Sequence, residues 1–81
     1  MKFPKISCLL VTKGDPVLLE RSVRCFRQQT YKNKELVIIS KAELDVSGEG
    51  IQVLRVPDRL TLGAMRNLSI EVATGDIVCQ W

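Results

Sequence analysis

Lys5-Ile6-Ser7-Cys8-Leu9-Leu10-Val11-Thr12, followed by Asp15-Pro16 and then by Glu35-Leu36-Val37-Ile38-Ile39-Ser40, decides the fold. The first run holds Ile6, Cys8, Leu9, Leu10 and Val11 almost without a polar break. A strand with one wet face would alternate, so a nearly continuous apolar run suits a central parallel strand covered on both faces. Asp15 offers a side-chain acceptor to the first amides of a helix, and Pro16 fits its first position. Leu19, Val23 and Phe26 then recur at helical spacing, with Glu20, Arg21, Arg24 and Arg27 on the outer face. The helix is expected to fade around Gln28-Gln29-Thr30, and the second apolar run is a second strand. Strand, helix, strand makes a βαβ unit with a right-handed crossover.

Outward from this unit, Lys41 to Gly50 is polar and rich in turn formers. Within it Gly48-Glu49-Gly50 precedes a strand and lacks a third glycine, so it reads as a turn and not as a dinucleotide-binding loop. Ile51-Gln52-Val53-Leu54-Arg55-Val56 alternates, with Ile51, Val53 and Arg55 on one side, and Pro57 closes it as a third strand. The loop Asp58-Arg59-Leu60 leads to a second helix starting near Thr61. Met65, Leu68, Ile70, Val72 and Ala73 form its apolar stripe, and Thr74-Gly75 end it. Asp76 to Trp81 is a fourth strand. The expected fold is α/β: an open Rossmann-like, mainly parallel sheet with the element order βαββαβ.

Composition limits what this chain can be. Its 81 residues allow one small domain, and 46% hydrophobic and 26% charged residues are those of a globular protein. The net charge of +3 comes from basic residues scattered between apolar runs, without the patch or helical stripe that nucleic-acid binding requires. No run approaches the ~18–20 apolar residues of a membrane span. Met1-Lys2-Phe3-Pro4-Lys5 lacks the apolar core of a signal peptide. A cytoplasmic location is expected, with any membrane association left to a remainder of the protein. Cys8, Cys25 and Cys79 form no CxxC pair and find no histidine, and each lies in an apolar run. Core packing in a reducing compartment is the expectation for all three.

Ligands of open α/β sheets bind outside the carboxyl ends of the strands. That rule directs attention to Thr12-Lys13-Gly14-Asp15, Ser40-Lys41 and the segment from Pro57 to Gly63. Thr12 offers a hydroxyl and Gly14 a close backbone approach. Thr61-Leu62-Gly63-Ala64-Met65-Arg66-Asn67 opens a helix, where free amides and the dipole favour an anion and Arg66 adds a charge. An ordinary first turn with a solvated arginine fits the same residues, and residue chemistry alone leaves both readings open.

Pro4 to Thr12, Leu18-Leu19-Glu20-Arg21-Ser22-Val23, Gln28-Gln29-Thr30-Tyr31 and Glu35 to Ile39 together resemble the opening of family 2 glycosyltransferases with the GT-A fold. Leu62-Gly63-Ala64-Met65-Arg66-Asn67-Leu68 and Ala73-Thr74-Gly75-Asp76-Ile77-Val78 are similar to a later part of the same family. The resemblance implies transfer of a sugar from a nucleotide diphosphate sugar to an acceptor hydroxyl, usually with inversion. It implies that Thr12 lies against the base or ribose, that Gly63 and Arg66 border the nucleotide cleft, and that Asn67 ties the helix start to the neighbouring loop. Gln29 and Thr30 would fix the turn after helix 1. In that family a divalent metal, manganese or magnesium, sits on an Asp-x-Asp motif beginning about six residues after the counterpart of Gly75. The chain is therefore expected to be the donor-binding front of a larger enzyme, ending just before its metal ligands and base, and inactive by itself. A homodimer through the exposed edge of the sheet is a further expectation.

There is one departure from the family pattern. Where the family places an aspartate after strand 2 to accept a hydrogen bond from the base, this chain has Ser40-Lys41, with Glu43 and Asp45 nearby. A lysine only donates. Either Ser40 or Glu43 takes the acceptor role, or the base differs, or donor binding is lost. Two other classes fit the same sheet. A nucleotidyltransferase would want a glycine-rich basic loop after strand 1, of which Thr12-Lys13-Gly14-Asp15 is a poor version. A non-catalytic α/β interaction module would need no acid after strand 2 at all.

Overall fold

A computed structural model describes residues 4–13, 15–43, 46, 48 and 50–80; Gly14, Asp45, Glu49 and Trp81 lie outside the described residues. The elements are β1 (Ile6–Thr12), α1 (Pro16–Gln28), β2 (Lys34–Ser40), β3 (Ile51–Arg55), α2 (Leu62–Val72) and β4 (Ile77–Gln80). They form an α/β fold with one four-stranded sheet in the order β3-β2-β1-β4. Every strand pair is parallel. The chain steps outward from β1 to β2 to β3, and α2 then carries it back past β1 to the opposite edge. Strand order therefore reverses between β1 and β4.

The two faces of the sheet hold two apolar layers, and the alternation of side chains along each strand assigns residues between them. Cys8 and Leu10 of β1 and Leu36 and Ile38 of β2 pack with Leu19, Val23 and Phe26 of α1. Leu9, Val37 and Ile39 point the other way and pack with Val56 and with Met65 of α2. Both faces of β1 and β2 are covered, and that is why their sequences show no alternation. Val46 also packs against the α1 layer. Each fully buried side chain of this kind contributes about 1.5–3 kcal/mol.

The ends of α1 follow from its sequence. The Asp15 carboxylate accepts hydrogen bonds from the amides of Val17 at 3.0 Å and Leu18 at 3.3 Å, with Pro16 in the first turn. At the other end the Lys34 ammonium donates to the carbonyls of Phe26 and Gln29 and lies 4.6 Å from the centre of the Phe26 ring. A cation on the last carbonyls of a helix complements its dipole. Gly50, at φ +77°, turns the chain into β3 in the left-handed region that only glycine enters freely.

Two expectations require correction. Ile70 is 52% exposed, and Ser69 is buried in its place. Ile70 stands five residues after Met65, about 140° round the helix, and so faces solvent. Cys25 and Cys79 are exposed, and only Cys8 is buried. Cys25 lies about 200° round α1 from Val23, and Cys79 sits on the edge strand, whose four residues are all exposed. Among the described residues no helix is long and apolar enough to cross a membrane.

Candidate functional site

The carboxyl edge of the sheet gathers the ends of β1, β2 and β3 and the start of α2. Thr12 and Ser40 are register partners, and Ser40 is in turn paired with Arg55. The amide of Lys41 donates to the Thr12 carbonyl at 3.2 Å, and the amide of Val56 donates to the Ser40 carbonyl at 2.8 Å. Lys41 also reaches across the edge, its ammonium donating to the Asp58 carbonyl at 2.8 Å. Lys41, Arg55, Val56, Pro57 and Asp58 line a shallow cleft of about 400 Å³ there.

The side chains singled out in the sequence do not all face this cleft. Ser40 is fully buried, and its hydroxyl donates to the Ala42 carbonyl at 2.8 Å and accepts from the Ala42 amide at 3.1 Å. It shapes its own loop and presents no acceptor to a ligand. Thr12 is buried, 5% exposed. Gly63, Arg66 and Asn67 are exposed on α2. Helical spacing puts Gly63 and Asn67 opposite the buried pair Met65 and Ser69, with Arg66 to one side. A Cβ at Gly63 would meet nothing within 4 Å. Thus the structure brings Thr12 and Ser40 together and leaves Gly63 and Asn67 on an outer surface.

What the edge does offer is basic side chains and backbone amides. Lys13, Lys41, Arg55 and Arg59 stand at or just after the strand ends, against Asp15, Glu43, Asp58 and, in the sequence, Asp45, and Asp15 is committed to the cap of α1. Helix α2 has no acidic side chain in its first turn, and its cap, the Thr61 hydroxyl, accepts from the Ala64 amide at 3.1 Å. Such a helix start suits an anion. Lys41, the departure from the family pattern, and its partner Asp58 escaped the sequence reading as a bridge, because only the fold places those loops side by side. A larger groove of about 670 Å³ runs beside α1 and Val46. Its polar groups belong to the solvated helix face, where Glu20 and Arg24 pair at 3.0 Å, and it collects nothing from the strand ends.

At the opposite, amino edge lies a polar cluster that no motif announced. Glu35, 8% exposed at the head of β2, accepts hydrogen bonds from the Ser7 hydroxyl at 2.5 Å, the Thr74 amide at 2.6 Å and the Thr74 hydroxyl at 3.1 Å. Lys5 lies 3.6 Å from the same carboxylate and donates to the Thr74 hydroxyl at 2.6 Å. Ser7 also accepts from the Gly75 amide at 2.8 Å. The Lys5 amide donates to Asp76, whose own amide donates back to the Lys5 carbonyl at 2.8 Å. Burial alone would push the Glu35 carboxyl up, but the hydrogen bonds from Ser7 and Thr74 and the charge of Lys5 outweigh it and hold the group below its ordinary value. One signal in the sequence could have found this cluster: Glu35 is a lone acid opening a run of apolar residues.

Among the described residues no three acidic, cysteine or histidine side chains converge to hold a metal ion. The resemblance puts its divalent metal on a motif outside these residues, and no chemistry of the site is assigned to one. No family model, curated protein or solved structure matches the chain.

Proposed function

We propose that this chain binds the nucleoside diphosphate portion of a sugar nucleotide at the carboxyl edge of its sheet, as the donor-binding part of a glycosyltransferase of the family 2 type. One observation carries the reading: strand order reverses between β1 and β4, and the loops after β2 and β3, with Lys41 and Arg55 at their starts, and the start of α2 lie along the same carboxyl edge of the sheet. A reversal of this kind opens a crevice at the carboxyl ends of the strands. The support for the proposal is the topology, the Lys41 and Arg55 side chains at that edge and the sequence resemblance. In this reading Lys41 and Arg55 attract the diphosphate, the amides at the start of α2 receive it, and Arg66 stands beside it on the next turn. Buried Thr12 and Ser40 hold the two loops in place.

The test is an amide chemical-shift titration with UDP, GDP and ADP and their glucose or mannose derivatives, with and without magnesium. Shifts concentrated at residues 12–13, 41–43 and 55–64 are expected for one of the nucleotides. Lys41→Met should weaken that binding by about tenfold, the loss of one charge-assisted contact worth roughly 1.4 kcal/mol. No response to any nucleotide, or shifts centred on the α1 groove, would overturn the reading and favour an interaction module.

A further inference from the structure

We propose that Cys8 and Cys79 are a thiol pair that closes to a disulfide and reopens, fastening edge strand β4 to β1. This goes beyond the nucleotide reading and does not depend on it. The two cysteines are direct register partners across the β1–β4 pair, as are Ile6 and Ile77 two residues earlier. Register partners of a parallel pair project from the same face of the sheet. Adjacent strands lie about 4.7–4.9 Å apart, within the Cα separations of about 4.4–6.8 Å that a disulfide spans. The β-carbons of a bridge approach to about 3.8 Å, so β4 must draw in slightly. It can do so, because it is a four-residue edge strand paired on one side only.

The two thiols differ in a way that orders the chemistry. Cys79 is exposed, whereas Cys8 is 2% exposed inside the α1 layer. Burial pushes the Cys8 thiol up, the nearby Cys79 adds to this, and Lys34 offsets part of it. Cys79 is therefore the thiol that meets a reagent. Its thiolate attacks one sulfur of a small-molecule disulfide such as oxidised glutathione, forming a mixed disulfide and expelling one glutathione thiolate. The Cys8 thiolate then attacks the Cys79 sulfur, forms the Cys8–Cys79 bond and expels the second glutathione. Two protein thiols are oxidised, one small disulfide is reduced to two thiols, and their two protons pass to the glutathiones. Excess thiol reverses both steps. Cys25 sits exposed on α1 and serves as an internal control.

Trypsin separates the three cysteines into peptides 6–13, 25–27 and 67–81. The folded protein is incubated with oxidised glutathione without denaturant, quenched in acid, alkylated and digested for mass spectrometry. The expected product is peptide 6–13 linked to peptide 67–81, lighter by about 2 Da than the two reduced peptides together, and released by dithiothreitol. Cys25→Ser keeps the link and Cys79→Ser abolishes it, and both substitutions fall on exposed positions that should leave the fold intact. Hydrogen exchange at the β4 amides slows on closure. Glutathione that stays on Cys79 without a link to Cys8, a link through Cys25, or a link that forms only in urea would each overturn the proposal.

Discussion

Replacing Glu35 by glutamine keeps the shape of the side chain and removes its charge. In the native cluster one carboxylate oxygen takes the Ser7 hydroxyl and the Thr74 amide, and the other takes the Thr74 hydroxyl and faces Lys5. The best placement of the amide keeps its carbonyl toward Ser7 and the Thr74 amide and turns its NH₂ toward the Thr74 hydroxyl. Two bonds then fall from the charged class, about 1.5–3 kcal/mol each, to the neutral class, about 0.5–1.5 kcal/mol each. The Lys5 contact adds at most about 1 kcal/mol, because its side chain is 35% exposed and screened by solvent. The expected loss is about 2–3 kcal/mol at pH 7, out of the roughly 4–12 kcal/mol typical of a chain this long. Urea unfolding followed by circular dichroism should show a lower midpoint at unchanged slope.

The same cluster sets a pH dependence. A carboxyl held below its unfolded value binds fewer protons in the folded state, so stability rises with pH across that interval. The contribution of Glu35 is complete above the ordinary glutamate value of about 4.3 and is lost as pH falls through its depressed folded value. Native protein and the Glu35→Gln variant should therefore differ most near pH 6–7 and converge toward pH 3. A variant within about 0.5 kcal/mol of the native protein at pH 7, inside the range of neutral surface changes, would refute the reasoning. A difference that stays constant down to pH 3 would refute it too.

Gly75→Ala should destabilise the fold by about 1–3 kcal/mol, because the new Cβ would lie 2.4 Å from the Ser7 hydroxyl and 2.8 Å from the Lys5 carbonyl. Gly63→Ala is its counterpart: open space around that Cβ and a helical position lead us to expect a gain of about 0.5–1 kcal/mol by calorimetry. Asp15→Ala removes the acceptor from two amides of α1 and should cost about 1 kcal/mol in urea unfolding.

Residues whose pattern is set by local chemistry were legible in the sequence. Asp15-Pro16 marks the start of α1 and Thr61 the cap of α2 because capping depends on a few neighbouring residues. The unbroken apolar runs around Leu9 and Val37 mark central strands because burial on both faces leaves no room for alternation. The exposure of Cys79 was illegible, since only the sheet order makes β4 an edge. Ser40 misled for a related reason. Position alone gave it an open hydroxyl, whereas the turn at Lys41-Ala42 folds back on that hydroxyl and uses both its donor and its acceptor.

The contrast between the two sheet edges separates holding from binding. At the amino edge Glu35, Ser7, Thr74, Lys5 and Asp76 satisfy one another, and Gly75 packs too closely for a further atom. A network centred on a buried carboxylate whose oxygens are already taken stiffens the sheet, and Glu35 itself has little left for a ligand. At the carboxyl edge the lysine of Ser40-Lys41 spends its ammonium on the Asp58 carbonyl, a neutral partner, so its charge is not cancelled by that bond. An ammonium has three donors, and an arriving diphosphate could take the remaining ones without breaking the bridge. In that geometry the residue that departs from the family pattern would no longer read the base. It would instead hold the two loops together and face the phosphates, and a donor bound there would owe its nucleobase selectivity to some group other than a carboxylate at the end of β2.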